Sequence, residues 1–286
     1  MKTNWITAKA SVIGKSHIEN DLPCQDASRV KRLSRNCGVA IVADGAGSCM
    51  HSQLGSKILT DKGVSLFAKK LAKSAFVRRK RVLRKDHWRR IALGCFNELY
   101  NVLAAQAKKN DYNLKDLSST IIVVAFAPWG LMVAHIGDGR AAYTNSSLDW
   151  KALFTPCSGS EAGTTVFFTS DRVWDQPEKY IETNVVNDSI TGFSLLSDGM
   201  EKSSFECYIK KPGEERYFDP NMPFANFFNP VANSLQAMSV KGWNQRMINK
   251  AWQNFLLSGN ERLVNEPDDK TMIVGILKNS AKWQDY

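Results

Sequence analysis

Three stretches of the chain share one pattern: an apolar run, then Asp, then Gly. They read VAIVADG, ending at Asp44-Gly45; VAHIGDG, ending at Asp138-Gly139; and SLLSDG, ending at Asp198-Gly199. A fourth acidic pair, Asp268-Asp269, stands just before TMIVGIL. Asp26, in PCQDA, comes a few residues before another strand-like stretch. Taken singly, Asp-Gly after a strand is a favoured hairpin turn. Asp138-Gly139 suits that reading, because RAAYTN follows as a return strand. The other two do not. Asp44-Gly45 leads into AGSCMHSQLGS and a helical pattern, and Asp198-Gly199 leads into MEKSSF. The alternative is a set of carboxylates gathered at strand ends around hard cations. Carboxylate oxygens with few nitrogen or sulfur partners select Mg²⁺ or Mn²⁺ over Zn²⁺. A glycine beside the ligand leaves backbone carbonyls open to a cation or substrate. Two such ions about 3.5–4 Å apart polarise a phosphoryl oxygen and supply a hydroxide.

These carboxylates need a frame. Residues 5–13 and 38–43 carry strand-like apolar and β-branched residues. Helical spacing runs from Ser52 to Ala72, with Gly63 as its weak point, and again from about His87 to Lys108. TIIVVAF, LMVAHIG and RAAYTN then predict a three-strand meander. Further strands are expected at 148–154, 164–169, 193–196 and 271–277. Residues 225–257 read as helical pieces punctuated by Pro230 and Gly242. No linker divides the chain, so residues 1–286 are expected to form a single domain. Meanders with separate helix pairs suggest an α+β fold with mostly antiparallel sheets.

PCQDA, VADGAGS, SSTIIVVAF followed by AHIGDGRAAY, LLSDGM and DDKTMIV, in this order and rough spacing, resemble the metal-dependent protein phosphatases of the PPM/PP2C family. The resemblance covers roughly residues 8–278, and the opening ASVIGKSH…LPCQDA is most similar to the divergent bacterial branch. It implies an αββα sandwich of two antiparallel sheets flanked by antiparallel helix pairs. It also implies hydrolysis of phosphoserine or phosphothreonine esters by water activated between two Mn²⁺ or Mg²⁺ ions. Carried over by position, Asp44 bridges both ions and Gly45 offers its carbonyl. Asp198 and Asp268 complete the first ion, and Asp26 holds the second directly or through water. Asp138 matches a third, more variable metal position. Asp269 falls where the family usually has Asn and ranks below Asp268.

Two departures stand out. Many family members carry a His after Asp-Gly as proton donor, where this chain has Ala46; His51 or water would take that part. The family's phosphate-binding Arg upstream of the Gln-Asp motif is missing, and Lys15 and His17 are the cations available there; His17 is the candidate phosphate contact. Glu161 and Thr164-Thr165 match a stretch of the bacterial branch but suggest no physical role beyond a turn and strand start. A catalytically weak phosphatase-like regulator that binds a signalling partner is the alternative function. Clustered, repelling carboxylates argue against it.

The chain of 286 residues has a formal charge of +10, and the excess is local. Residues 69–90 hold eleven basic side chains and one acid, Asp86, leaving 27 of each sign elsewhere. A uniformly basic nucleic-acid coat is thereby ruled out. The window is expected at the far tip of the helix pair, as a docking surface for an acidic partner remote from the phosphate site. The expected partners are a phosphoprotein substrate and a cognate Ser/Thr kinase. The N-terminus lacks the apolar core of a signal peptide, and the run 121–136, broken by Pro128-Trp129-Gly130, is too short to span a bilayer. Six cysteines without CxxC spacing are expected as buried reduced thiols. A cytoplasmic location follows from these features.

Overall fold

The computed structural model describes residues 4–147, 149–156, 165–207, 209–210, 213 and 217–278. Its strands are β1 (Trp5–Val12), β2 (Ala27–Arg32), β3 (Gly38–Ala43), β4 (Ile121–Ala127), β5 (Gly130–Ile136), β6 (Arg140–Asn145), β7 (Lys151–Ala152), β8 (Glu182–Val186) and β9 (Ile190–Leu196), then the two-residue β10 (Phe205–Glu206), β11 (Ile209–Lys210), β12 (Tyr217–Phe218) and β13 (Met222–Pro223), and finally β14 (Lys270–Leu277). Its helices are α1 (Lys15–Glu19), α2 (Ser52–Leu71), α3 (Ala75–Arg78), α4 (Lys85–Asn110), α5 (Asp171–Asp175), α6 (Pro177–Tyr180), α7 (Glu201–Ser204), α8 (Ala225–Val240), α9 (Gln245–Ser258) and α10 (Glu261–Asn265).

Two five-stranded antiparallel sheets, ordered β2-β3-β4-β5-β8 and β1-β14-β9-β6-β7, form the centre. The sequence of β4, IIVVAFA, shows why they stack. Ile121, Val123 and Ala125 face the α2/α4 layer, while Ile122, Val124 and Phe126 face the other sheet. A strand covered on both faces reads as a continuous apolar run. Trp5, Phe126 and Phe193 join the sheets, with the Phe126 and Phe193 rings stacked at 4.4 Å. On the outside, Leu59, Phe67, Trp88 and Phe96 pack on the first sheet. Phe228, Leu235 and Trp252 pack on the second. The architecture is α+β, an αββα sandwich.

Several expectations need correction. The meander is only a hairpin: β4 pairs with β5, but β6 crosses to the other sheet and pairs with β9. Asp138-Gly139 is therefore not a hairpin turn. It is the bridge between sheets, and period-2 patterning cannot reveal which sheet a strand joins. The strand expected at 148–154 shrinks to β7, with residue 148 outside the described set. No strand forms over 165–169, and Thr164 and Glu161 lie outside the described residues. The β8 strand was not expected, because ETNVV is mostly polar and half-exposed at a sheet edge. Pro230 does not break α8 but sits inside it. The one lost backbone bond is outweighed there by the burial of Phe227, Phe228, Val231 and Leu235. Gly63 is not a weakness in α2. A Cβ there would come 2.8 Å from Ile41 Cδ1, so its absence lets the helix settle on β3. Cys37, Cys95 and Cys207 are buried, Cys24 and Cys49 are half-exposed, and Cys157 lies outside the described residues. Among the described residues, no helix is long and apolar enough to cross a membrane.

Candidate metal centre

Strand register brings the acids together. Ala27 pairs with Ala43, so the next residues outward on β2 and β3 are Asp26 and Asp44. In the other sheet Arg140 and Met272 flank Leu196 from either side. Two residues beyond Arg140 and Leu196 lie Asp138 and Asp198, and Asp268 precedes the start of β14 by two. Five carboxylates thus converge from the ends of β2, β3, β6, β9 and β14 at one rim of the sandwich.

Two glycines make the convergence possible. A Cβ on Gly45 would stand 2.6 Å from the Gln25 carbonyl oxygen, and one on Gly199 only 2.1 Å from that of Asp269. Both positions need hydrogen in place of a methyl group because backbone from a neighbouring loop presses on them. The Asp-Gly recurrence therefore has a packing cause as well as any ligand role.

The cluster is electrostatically loaded. Burial, followed by repulsion from Asp26 and Asp198, holds the Asp44 carboxyl well above the usual carboxylate range. Burial does the same to Asp26; Ser197, donating from Oγ to Asp26 Oδ2 at 2.7 Å, offsets part of it, and Asp269 adds repulsion. Asp198 is pushed up to about 6 by burial and then by Asp268 and Asp138. The carboxyls of Asp44 and Asp198 lie within hydrogen-bonding reach of each other. Asp198 Oδ1 is buried without a hydrogen-bond partner. A buried acceptor left unmade, inside a group of mutually raised acids, is the condition a cation relieves. Among the described residues no three His, Cys, Asp or Glu side chains close into a ready-made metal cage. The acids form a converging set whose donor chemistry, all carboxylate oxygen, fits a hard divalent ion.

The neighbouring residues divide into clamps and onlookers. Asp269, 2% exposed, spends its carboxylate on the backbone: Gly14 N donates to Oδ1 at 2.8 Å and Gln25 N to Oδ2 at 2.5 Å. It ties the loops that carry Asp26 and Asp268. His17, 9% exposed, has Nδ1 at 3.0 Å from Asp269 and Nε2 at 3.9 Å from Asp268, so it stands beside the acids. His51 stacks on Tyr112 at 3.8 Å, and its backbone N donates to Asp116. Thr165 donates from Oγ1 to Asp138 Oδ2, which gives that residue the physical part its sequence did not suggest. Ser197 was legible only as the residue before Asp198.

Sequence reasoning also missed Arg140, although it follows the Gly-Asp-Gly motif directly. Its side chain is 4% exposed. Nη2 donates to Glu201 Oε1 and Asp219 Oδ2, both at 2.6 Å, and Nη1 to Asn221 Oδ1 at 2.6 Å. The start of β6 is thereby stapled to the segment after Asp198. Burial pushes the Cys95 and Cys207 thiols up to about 12, which leaves them protonated at neutral pH.

Comparisons with known proteins give the family and the fold. Residues 13–249 match the family model of protein phosphatase 2C. The chain belongs to the protein phosphatase 2C family. It is similar to serine/threonine-protein phosphatase 3 of Escherichia coli strain K12, at 24% identity over 279 residues, covering 96% of this chain and 98% of that one. In fold it is similar to a serine/threonine phosphatase of Staphylococcus aureus, with a TM-score of 0.56 at 15% identity, covering 98% of each chain. It is likewise similar to that of S. agalactiae, with a TM-score of 0.57 at 14% identity, covering 96% of this chain and 100% of that one. The phosphatase 2C fold is thus the frame in which Asp26, Asp44, Asp138, Asp198 and Asp268 meet.

Proposed function

We propose that this phosphatase 2C member hydrolyses phosphoserine and phosphothreonine esters of proteins in a metal-dependent reaction. The observation that carries the reading is the meeting of five strand-end carboxylates, among them Asp26, Asp44 and Asp198 with raised proton affinity, together with an orphaned Asp198 oxygen. Asp44, Asp198, Asp268 and Asp26, with the Gly45 carbonyl, would hold two Mn²⁺ or Mg²⁺ ions, and Asp138 a third. When bound, such ions supply Lewis acidity toward a phosphoryl oxygen and acidify a water. Ser197 fixes the Asp26 carboxylate, and Asp269 keeps the two ligand-bearing loops at fixed spacing. His17 would face the phosphate with the imidazole edge not turned to Asp269. His51 would have to leave Tyr112 to serve as proton donor, so water protonates the leaving alkoxide in this reading. The reading assigns no nucleophilic part to a cysteine.

The reading takes residues 1–286 as one phosphatase domain in the cytoplasm, opposed to a Ser/Thr kinase that phosphorylates the same protein. Residues 69–90 serve it as a docking surface for an acidic partner. A non-catalytic regulator gains nothing from acids that repel one another. The test is turnover of a phosphoserine peptide and of p-nitrophenyl phosphate with Mn²⁺, with EDTA, and in Asp44→Ala. Turnover should require the metal and fall by about 10³-fold or more in the variant. Wild-type turnover no higher than that of Asp44→Ala would defeat the reading.

A further inference from the structure

The basic window forms a structured tip at the end of the sandwich opposite the carboxylates. Two rulers give the separation. Ser52, at the start of α2, lies against Gly45, and the 20-residue helix ends at Leu71, about 30 Å away. At the start of β4, Thr120 N donates to the Asp44 carbonyl; the strand's seven residues, about 23 Å, end at the turn that packs against the tip.

The tip is anchored rather than frayed. Phe76 is fully buried and meets Trp129 edge-on at 5.9 Å. Trp88 Nε1 donates to the Val133 carbonyl at 2.6 Å, and Leu83 is buried beside Met132. On this platform ten of the eleven basic side chains are exposed; the eleventh, Arg89, donates to the carbonyls of Ile181 and Pro177. Lys70 pairs with Glu98 and Arg84 with Asp86, whereas Arg78, Arg79, Lys80 and Arg81 have no ion-pair partner among the described residues. Lys80 holds φ 50°, a left-handed conformation that glycine adopts more cheaply. Phe76 and Trp88 are both buried, which leaves the His87 imidazole as the one exposed ring of the window, a small platform for nucleobase stacking. An acidic polypeptide fits better than a nucleic acid.

We propose that this tip is a remote docking platform for an acidic segment of the phosphoprotein substrate. The segment is separated from the phosphorylated residue by enough chain to cross the sandwich. The proposal rests on the phosphatase reading and adds a substrate class: phosphoproteins whose acidic stretch lies at least about nine extended residues from the phosphosite. Docking at the tip raises the local concentration of the phosphosite at the metal centre, and therefore lowers KM and leaves kcat alone.

The test uses peptides bearing phosphoserine and a run of six glutamates, joined by Gly/Ser linkers of about 4, 12 or 28 residues. The first cannot reach 30 Å, the second reaches it when stretched, and the third matches it on average. KM should be about tenfold lower for the two longer linkers than for the short one or for peptides with glutamine in place of glutamate. The gain should vanish in Arg78→Ala/Arg79→Ala/Lys80→Ala/Arg81→Ala, persist in the variant with lysine at the three arginine positions, and weaken with salt. Turnover of p-nitrophenyl phosphate should be equal in all three proteins. A gain independent of linker length, or retained in the alanine variant, would overturn the proposal. So would tighter binding of a 20-nucleotide RNA than of the glutamate peptide at equal salt, which would assign the tip to nucleic acid. Fluorescence anisotropy with a labelled glutamate peptide lacking phosphate separates the two readings. Binding at the tip without any metal-dependent turnover would reject the phosphatase, and turnover without binding would reject the dock.

Discussion

At the Ser52 end of α2 the carboxylates of Asp26, Asp44 and Asp198 turn toward one another, and burial raises their proton affinity. At the Leu71 end an even larger number of charges turns outward, each into its own share of water. The contrast shows that counting charge says little until burial is known. Solvent screens the basic tip, where a further charge costs almost nothing. The acidic rim cannot be screened in that way, and it demands a proton or a cation. Arg140 makes the same point within the sandwich. It has the same side chain as Arg79, but it is buried among Glu201, Asp219 and Asn221.

That contrast can be broken by measurement. The largest effect is expected from removing the buried cation. Arg140→Ala leaves Glu201 and Asp219 facing each other and should cost about 3–5 kcal/mol in denaturant unfolding. Arg79→Ala should stay within about 0.5 kcal/mol. Similar losses for the two would show that burial does not set their value.

Next in size is the pH response of the metal-free protein. Asp198 is raised from 3.8 in the unfolded chain to about 6 in the folded one. The folded state therefore binds more protons between those values, and stability falls as pH rises through this window. Thermal unfolding with EDTA should show a melting temperature several degrees lower at pH 7.5 than at pH 4.5–5. Adding Mn²⁺ at pH 7.5 should restore it. Asp44→Asn removes one of the repelling charges and should raise the metal-free melting temperature at pH 7.5 while abolishing turnover. A melting temperature that climbs with pH in EDTA would contradict the crowded-carboxylate picture.

The smallest effect belongs to the tip. Lys80→Gly relieves the left-handed backbone at φ 50° and should stabilise the protein by about 1 kcal/mol. A loss of stability there would mean that Lys80 makes a structural contact after all.

Much of this was legible in advance, and the misses share a cause. The strands β1, β3, β4, β5, β9 and β14 and the helices α2 and α4 announce themselves, because apolar periodicity is a local property of the chain. The weak edge strand β8 does not, since its residues are half-exposed and polar. The Asp-Gly motifs pointed to the acids at the rim, yet Asp138 looked like a hairpin turn because RAAYTN continues in β-pattern. Nothing local records that β6 belongs to the opposite sheet. Asp269 shows the reverse case. It is an acid beside an acid in sequence, and only the three-dimensional arrangement reveals that Gly14 and Gln25 consume its oxygens.

The sequence alone determined the element types, the grouping of the acids after apolar strands and the confinement of the +10 to residues 69–90. Each depends on residue order over a few turns or strand lengths. Tertiary structure decided which acids meet, which one is spent on backbone amides, and which arginine is buried. Those outcomes depend on desolvation and on register between strands far apart in the chain, as when Leu196 aligns with Met272 and brings the ends that carry Asp198 and Asp268 to one rim. They are properties of the assembled sandwich, where distance through space replaces distance along the chain.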